Sequence, residues 1–136
     1  MLKRRGFLSC AICAATGLVA TAVDADAQAP AGLSRTIIQK TEYPGDKHVS
    51  ILVLAEIQPN FLVARHTHPG VESSYVVEGE GTLSVKGQPD RLVKAGDAFQ
   101  VPPEVPHSLR NGGAKTRLAI TYIVEKDKPL ATPAPE

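Results

Sequence analysis

Beyond the first quarter of the chain, apolar residues come in short runs that mostly alternate with polar ones, and turn formers separate the runs. The pattern predicts strands at Thr36–Thr41, Ser50–Ile57, Phe61–His66, Ser73–Glu78, Thr82–Lys86, Leu92–Lys94, Ala98–Val101, His107–Arg110 and Arg117–Glu125. The separators include Tyr43-Pro44-Gly45-Asp46, Pro69-Gly70, Gly79-Glu80-Gly81, Gly87-Gln88-Pro89-Asp90 and Asn111-Gly112-Gly113. Proline presets φ, glycine tolerates φ > 0, and Asn and Asp bond their own backbone, so each marks a turn for a physical reason. No window after residue 27 carries a helical period. Many short strands at close spacing predict an all-β sandwich or barrel. Two segments break the alternation: Ile51-Leu52-Val53-Leu54-Ala55, and Leu118-Ala119-Ile120 with Tyr122-Ile123-Val124. A strand with one wet face alternates, so these are expected to be covered on both faces, by another part of the chain or by a second subunit.

The N-terminal residues obey a different rule. Lys3, Arg4 and Arg5 are followed by the uncharged stretch Gly6 to Val23, and then by Asp24 and Asp26 among small residues. This is the layout of a secretory signal, with cleavage expected after Ala27 (Ala25-Asp26-Ala27) or after Ala29. Arg4-Arg5-Gly6-Phe7-Leu8 resembles a twin-arginine export signature, which is read by a receptor. Residues 1–27 are therefore assigned as a cleaved signal, 28–126 as one domain, and the proline-rich 127–136 as a mobile or surface-draped tail. A periplasmic or secreted location follows. An uncleaved anchor is the competing reading, but the stretch is only weakly apolar.

Removing residues 1–27 changes the chemistry left to the protein. Both cysteines, Cys10 and Cys13, go with it, so the mature chain has no thiol and no disulfide. Lys and Arg fall from 15 to 12 and Asp and Glu from 14 to 12, leaving a net charge of about zero. That excludes nucleic acid and an anionic membrane surface as partners. About 109 residues remain, enough for one core.

Candidate chemistry gathers around the histidines. His66 and His68 sit two apart at the end of a predicted strand, so both imidazoles project from one face. Pro69-Gly70 bends the chain and Glu72 opens the next strand; His107 begins a later one, just after Pro106. Three imidazoles and a carboxylate suit first-row transition metals. Left without a metal, such groups need other partners or shifted pKa values.

These residues resemble a known family. His66-x-His68-x-x-x-Glu72 is followed after six residues by Gly79, and a second stretch runs through Gly96, Pro102, His107 and Asn111. The two stretches are similar to the two cupin motifs, in order. Glu104 departs from them, standing where the family usually has glycine. The resemblance implies a double-stranded β-helix, or jelly roll, with His66, His68, Glu72 and His107 as ligands of one divalent transition metal. Gly79, Gly96 and Pro102 would shape turns, and Asn111 would close the His107 strand.

The remaining residues fill in the picture. His48 lies in a turn region and is expected at the surface. Tyr75 and Tyr122 are expected in the core or an interface. Leu62 and Ala64 share the parity of His66, and Leu109 and Asn111 that of His107, so all four are expected to face inward. The resulting pocket is small and apolar. The resemblance implies a mononuclear, dioxygenase-like oxidoreductase acting on a small oxygen-rich or aromatic molecule, with Glu72 doubling as a weak general base. The alternatives are a non-catalytic ligand-binding module and a structural barrel. Manganese or iron is favoured over nickel, copper and zinc, because a chain that folds before export traps its metal where free copper and zinc are scarce. A homodimer is expected.

Overall fold

In the computed structural model, residues 31–136 are described; the signal assigned to residues 1–27 lies outside them. Ten strands follow in order: β1 Leu33–Glu42, β2 His48–Ile57, β3 Leu62–Thr67, β4 Gly70–Glu78, β5 Glu80–Val85, β6 Arg91–Lys94, β7 Ala98–Val101, β8 His107–Asn111, β9 Thr116–Glu125 and β10 Thr132–Pro133. They pair antiparallel into two five-stranded sheets, ordered β1-β2-β9-β4-β7 and β10-β3-β8-β5-β6. Among the described residues there is no helix. The all-β, jelly-roll expectation holds, and the nine predicted strands are found with their ends moved by a few residues.

The core lies between the sheets. Val53, Ile57, Val76, Val93 and Val101 are almost fully buried, with Leu109, Leu118 and Ile120 beside them. In β9 every second residue from Thr116 to Val124 is buried and the residues between are half-exposed. β2 follows the same rhythm, and Leu52 on its outer side is exposed. The continuous apolar runs are therefore not covered on both faces within one chain. Their outer residues form a half-wet sheet face instead.

An expectation fails at β3. Val63 pairs with Leu109 and His66 with His107, so three steps on β3 oppose two on β8. This β-bulge reverses the side-chain parity ahead of His66. Leu62 and Ala64 consequently face solvent, and Val63 takes the inward position. β8 is regular, and Leu109 and Asn111 do follow His107 inward. Asn111 is buried and its Nδ2 donates to the carbonyls of Ile57, Gln58 and Ala114 at 2.8–3.0 Å, tying the β2–β3 and β8–β9 connections to the end of β8.

Backbone geometry explains other marked positions. Gly79 turns between β4 and β5 with φ 82°, and a Cβ there would lie 2.2 Å from Thr116 Oγ1. Gly70 opens β4 where it crosses β9 so closely that a Cβ would meet the Ile123 carbonyl oxygen at 2.0 Å. Glu104, at the position that departs from the motif, has φ 60°, the left-handed conformation that glycine adopts without strain.

The tail is draped on the surface and pairs with it. Thr132 and Pro133 lie against Thr67 and His66, Ala134 N donates to the Arg65 carbonyl at 3.0 Å, and Leu130 packs against the core. The chain thus returns to the edge of the strand that carries two of the candidate ligands.

Candidate metal centre

The four candidate ligands come from both sheets and meet between them. His66 and His107 are direct cross-strand neighbours on β3 and β8. His68 follows one residue after β3, and Glu72 is the third residue of β4 on the facing sheet. One donor atom from each lies within 4.8 Å of all the others. An ion with bonds of about 2.0–2.2 Å keeps opposite donors within about 4.4 Å, so one ion bridges the set with a small inward adjustment. His68, Glu72 and His107 are buried and His66 is half-buried, which leaves the His66 side open.

Local contacts orient each ligand. His66 Nδ1 donates to the Ala64 carbonyl at 2.7 Å, His68 Nδ1 to the Leu130 carbonyl at 2.6 Å and His107 Nδ1 to the Val105 carbonyl at 2.9 Å. A carbonyl can only accept, so all three rings carry their proton on Nδ1 and turn Nε2 inward. Glu72 is oriented in the same way: Ser74 Oγ donates to Oε1 at 2.6 Å, which leaves Oε2 facing the rings. Nε2 of His68 lies 2.8 Å and Nε2 of His107 lies 3.3 Å from that oxygen.

The electrostatics point to a cation. With Nδ1 protonated, Nε2 of His68 and of His107 are acceptors that meet no donor and are orphaned in the interior. Lone pairs then face a carboxylate oxygen, an arrangement that only a proton or a metal ion on the nitrogen makes attractive. Burial lowers the His66 imidazole to about 4, aided by His107 and His68 and opposed by the Ala64 carbonyl, so the ring is neutral and its lone pair free near pH 7. Burial by itself would raise the Glu72 carboxyl, but hydrogen bonds from His107 and His68, which need a proton on Nε2, and from Ser74 outweigh it and hold the group below the carboxylate range. Glu72 is thus ionised, as a ligand must be, and it is a weak proton acceptor. The donor set fits a first-row transition metal, with three imidazole nitrogens and one carboxylate oxygen.

Ser74, Arg35 and the Leu130 carbonyl also belong to this region. Ser74 shares the β4 parity of Glu72, so its place was readable from the sequence. Arg35 lay just outside the predicted strand and Leu130 in the predicted tail, and no local signal marks either. Tyr122 sits opposite Glu72 on β9 and packs on His68, with ring centroids 4.8 Å apart. Burial, then the Glu72 charge, pushes its phenol above the ordinary range, while the Arg35 charge opposes them. His48 is half-buried at the start of β2, edge-on to Tyr43, and is not part of the cluster. Tyr75 is exposed on the outer face of the first sheet.

A cavity between the sheets borders His66, Glu72 and His107. Its other walls are mostly apolar, among them Leu33, Ile57, Val63, Leu83, Phe99 and Leu109. Its free volume is about 30 Å³. That free room is about two waters' worth.

Comparison with known proteins gives the chain a family. The sequence matches the cupin domain over residues 53–124, a little over half of its length. No curated protein matches it. Among solved structures, a conserved Klebsiella pneumoniae protein with a double-stranded β-helix domain is 19% identical with a TM-score of 0.60, covering 79% of this chain and 88% of that one. DMSP lyase DddQ from Ruegeria pomeroyi is 18% identical with a TM-score of 0.61, covering 76% of this chain and 52% of that one. A variant salicylate 1,2-dioxygenase from Pseudoaminobacter salicylatoxidans, in complex with gentisate, is 19% identical with a TM-score of 0.56, covering 69% of this chain but 26% of that one. At these identities the likeness is one of fold.

Proposed function

We propose, because the chain belongs to the cupin family and its four donors converge, that the protein holds one divalent transition metal on His66, His68, Glu72 and His107. It uses that metal as a mononuclear, dioxygenase-like oxidoreductase on a small oxygen-rich or aromatic molecule. The carrying observation is the inward turn of all three Nε2 atoms, each ring fixed by an Nδ1–H bond to a backbone carbonyl. When bound, the ion supplies Lewis acidity and a path for electrons. The chain's own residues do the rest. The open His66 side admits a small molecule, the apolar walls limit water, and Ser74 keeps Glu72 presenting a single oxygen. The similar folds of a lyase and a dioxygenase make an enzyme a reasonable expectation but do not select the reaction.

The same reading extends to location and assembly. Export through the twin-arginine signal, with cleavage near residue 27, places the protein in the periplasm or outside the cell, and folding before export favours manganese or iron. A homodimer is supported by the outer face of the first sheet, where Leu52, Tyr75, Ala119 and Thr121 line an uncharged depression. Light scattering at micromolar concentration should then give twice the monomer mass.

Elemental analysis of protein exported by its own signal tests the metal reading. About one ion per chain is expected, and His107→Ala should lose most of it while His48→Ala keeps it. Unchanged metal in His107→Ala would overturn the site. Dioxygen uptake with enediols, phenols and diketones tests the enzyme reading, and a fully loaded protein without uptake would favour the binding module.

A further inference from the structure

Most of the cavity wall is accounted for by the metal ligands and by the apolar core. Arg35 is accounted for by neither. It is a half-buried residue on β1, facing inward in register with Ala55 of β2. Beside the small Ala55 side chain, Arg35 lines the cavity together with the Tyr122 phenol. Arg35 is the only Lys or Arg among the residues lining the cavity. Among the described residues the carboxylate ion pairs belong to Lys115, Arg117, Lys126, Lys128 and the two histidines at Glu72, and none belongs to Arg35.

A guanidinium lining a mostly apolar cavity, with no ion pair to Glu72 or any other carboxylate, loses hydration that the apolar walls do not replace. Its planar fork matches a carboxylate with two parallel N–H···O bonds, and a phenol beside it adds a third donor. Neither carbonyls nor amides use that fork as well. The centre itself adds to the preference, since a divalent ion on three neutral rings and one carboxylate keeps a surplus positive charge. The cavity is thus positive at two points and apolar between them.

We infer that Arg35 and Tyr122 form an anion subsite that seats the carboxylate of a small apolar acid inside the barrel, beside the metal centre. This names a substrate class for the site proposed above and rests on that reading for the metal, though not for the anion. The narrow free volume limits the acid to a few carbons unless the walls move. Leu33, Ile57, Val63 and Leu109 supply the apolar contacts for its chain.

Calorimetric titration of the full mature chain with butyrate and with its neutral isostere butyramide tests the subsite, in metal-free and in metal-loaded protein. The acid should bind at least about ten-fold more tightly than the amide in both forms, the size expected of a charge-assisted bidentate pair. Arg35→Met keeps the apolar stem and should bring the ratio to about one, with metal content unchanged. Tyr122→Phe should lower it a few-fold. Arg35→Lys, which keeps the charge but loses the fork, should retain an intermediate ratio and serves if Arg35→Met does not fold. Equal binding of acid and amide by the unaltered chain, or a preference that survives Arg35→Met, would overturn the subsite. So would a preference seen only with metal, because the carboxylate would then be a metal ligand. A native protein without metal would defeat the metal reading alone, and the metal-free titration would still decide the subsite.

Discussion

The C-terminal tail holds a metal ligand in place, and removing it should weaken the metal site as well as the fold. Truncation after Lys126 deletes the Leu130 carbonyl that accepts from His68 Nδ1 at 2.6 Å. It also deletes the pairing of Thr132 and Pro133 with β3, the Ala134–Arg65 hydrogen bond and the Leu130 side chain packed on the core. Two or three partly exposed hydrogen bonds are worth about 0.5–1.5 kcal/mol each, and a half-buried leucine about 1 kcal/mol. The expected stability loss is therefore about 2–5.5 kcal/mol. The metal site is weakened by a separate route. Without the Leu130 carbonyl, the His68 ring is free to change tautomer and to rotate, and loss of such an outer partner typically costs about 10–100-fold in metal affinity. Competition against a chelator of known affinity measures this, with urea unfolding of the metal-free chains in parallel. Leu130→Ala separates the two effects, because it removes the packing and keeps the carbonyl. It should lower stability by about 1 kcal/mol and change metal affinity by less than about three-fold. A folded truncated chain that binds metal within two-fold of the full chain would refute the reasoning.

Two further outcomes follow from the same geometry. His66 is held at about 4 against an ordinary 6.5, so the unfolded chain takes up its proton first as the pH falls. Its contribution to metal-free stability is complete above about pH 6.5 and is lost down to about pH 4; Glu72, held low, loses stability in the same direction at still lower pH. The His66 gap amounts to about 3 kcal/mol at most, and to about 1–3 kcal/mol once the ring's partial exposure is discounted; urea unfolding at pH 7 and pH 4.5 should show it, and equal stability would contradict it. Glu104→Gly should raise stability by about 0.5–1 kcal/mol, since relief of the left-handed backbone outweighs the entropy that glycine adds to the unfolded chain. Metal affinity should not change, because the Glu104 N–H bond to the His68 carbonyl is made by backbone; a lower melting temperature would refute the strain argument.

Much of the molecule was determined by local pattern. Alternation and turn residues were enough for nine strands, because side-chain parity and turn chemistry are properties of neighbouring residues. The spacing of His66, His68, Glu72 and His107 was enough to nominate the ligands, and the structure brings all four together. Tertiary structure decided what depends on pairing between distant segments. The bulge between Val63 and His66 exists only against β8, so Leu62 and Ala64 were misplaced by counting parity along β3 alone. The runs around Leu52 and Ile123 read as covered on both faces by the chain or by a second subunit, and only the closed fold shows that the chain's second sheet covers one side and leaves the other half-wet. Leu130 became an acceptor for His68 across 62 positions of sequence, and Arg35 entered the cavity because β1 pairs with β2 opposite a small alanine. Such long-range contacts carry no signature in either partner's neighbourhood, since what selects them is the closure of the two sheets on one another.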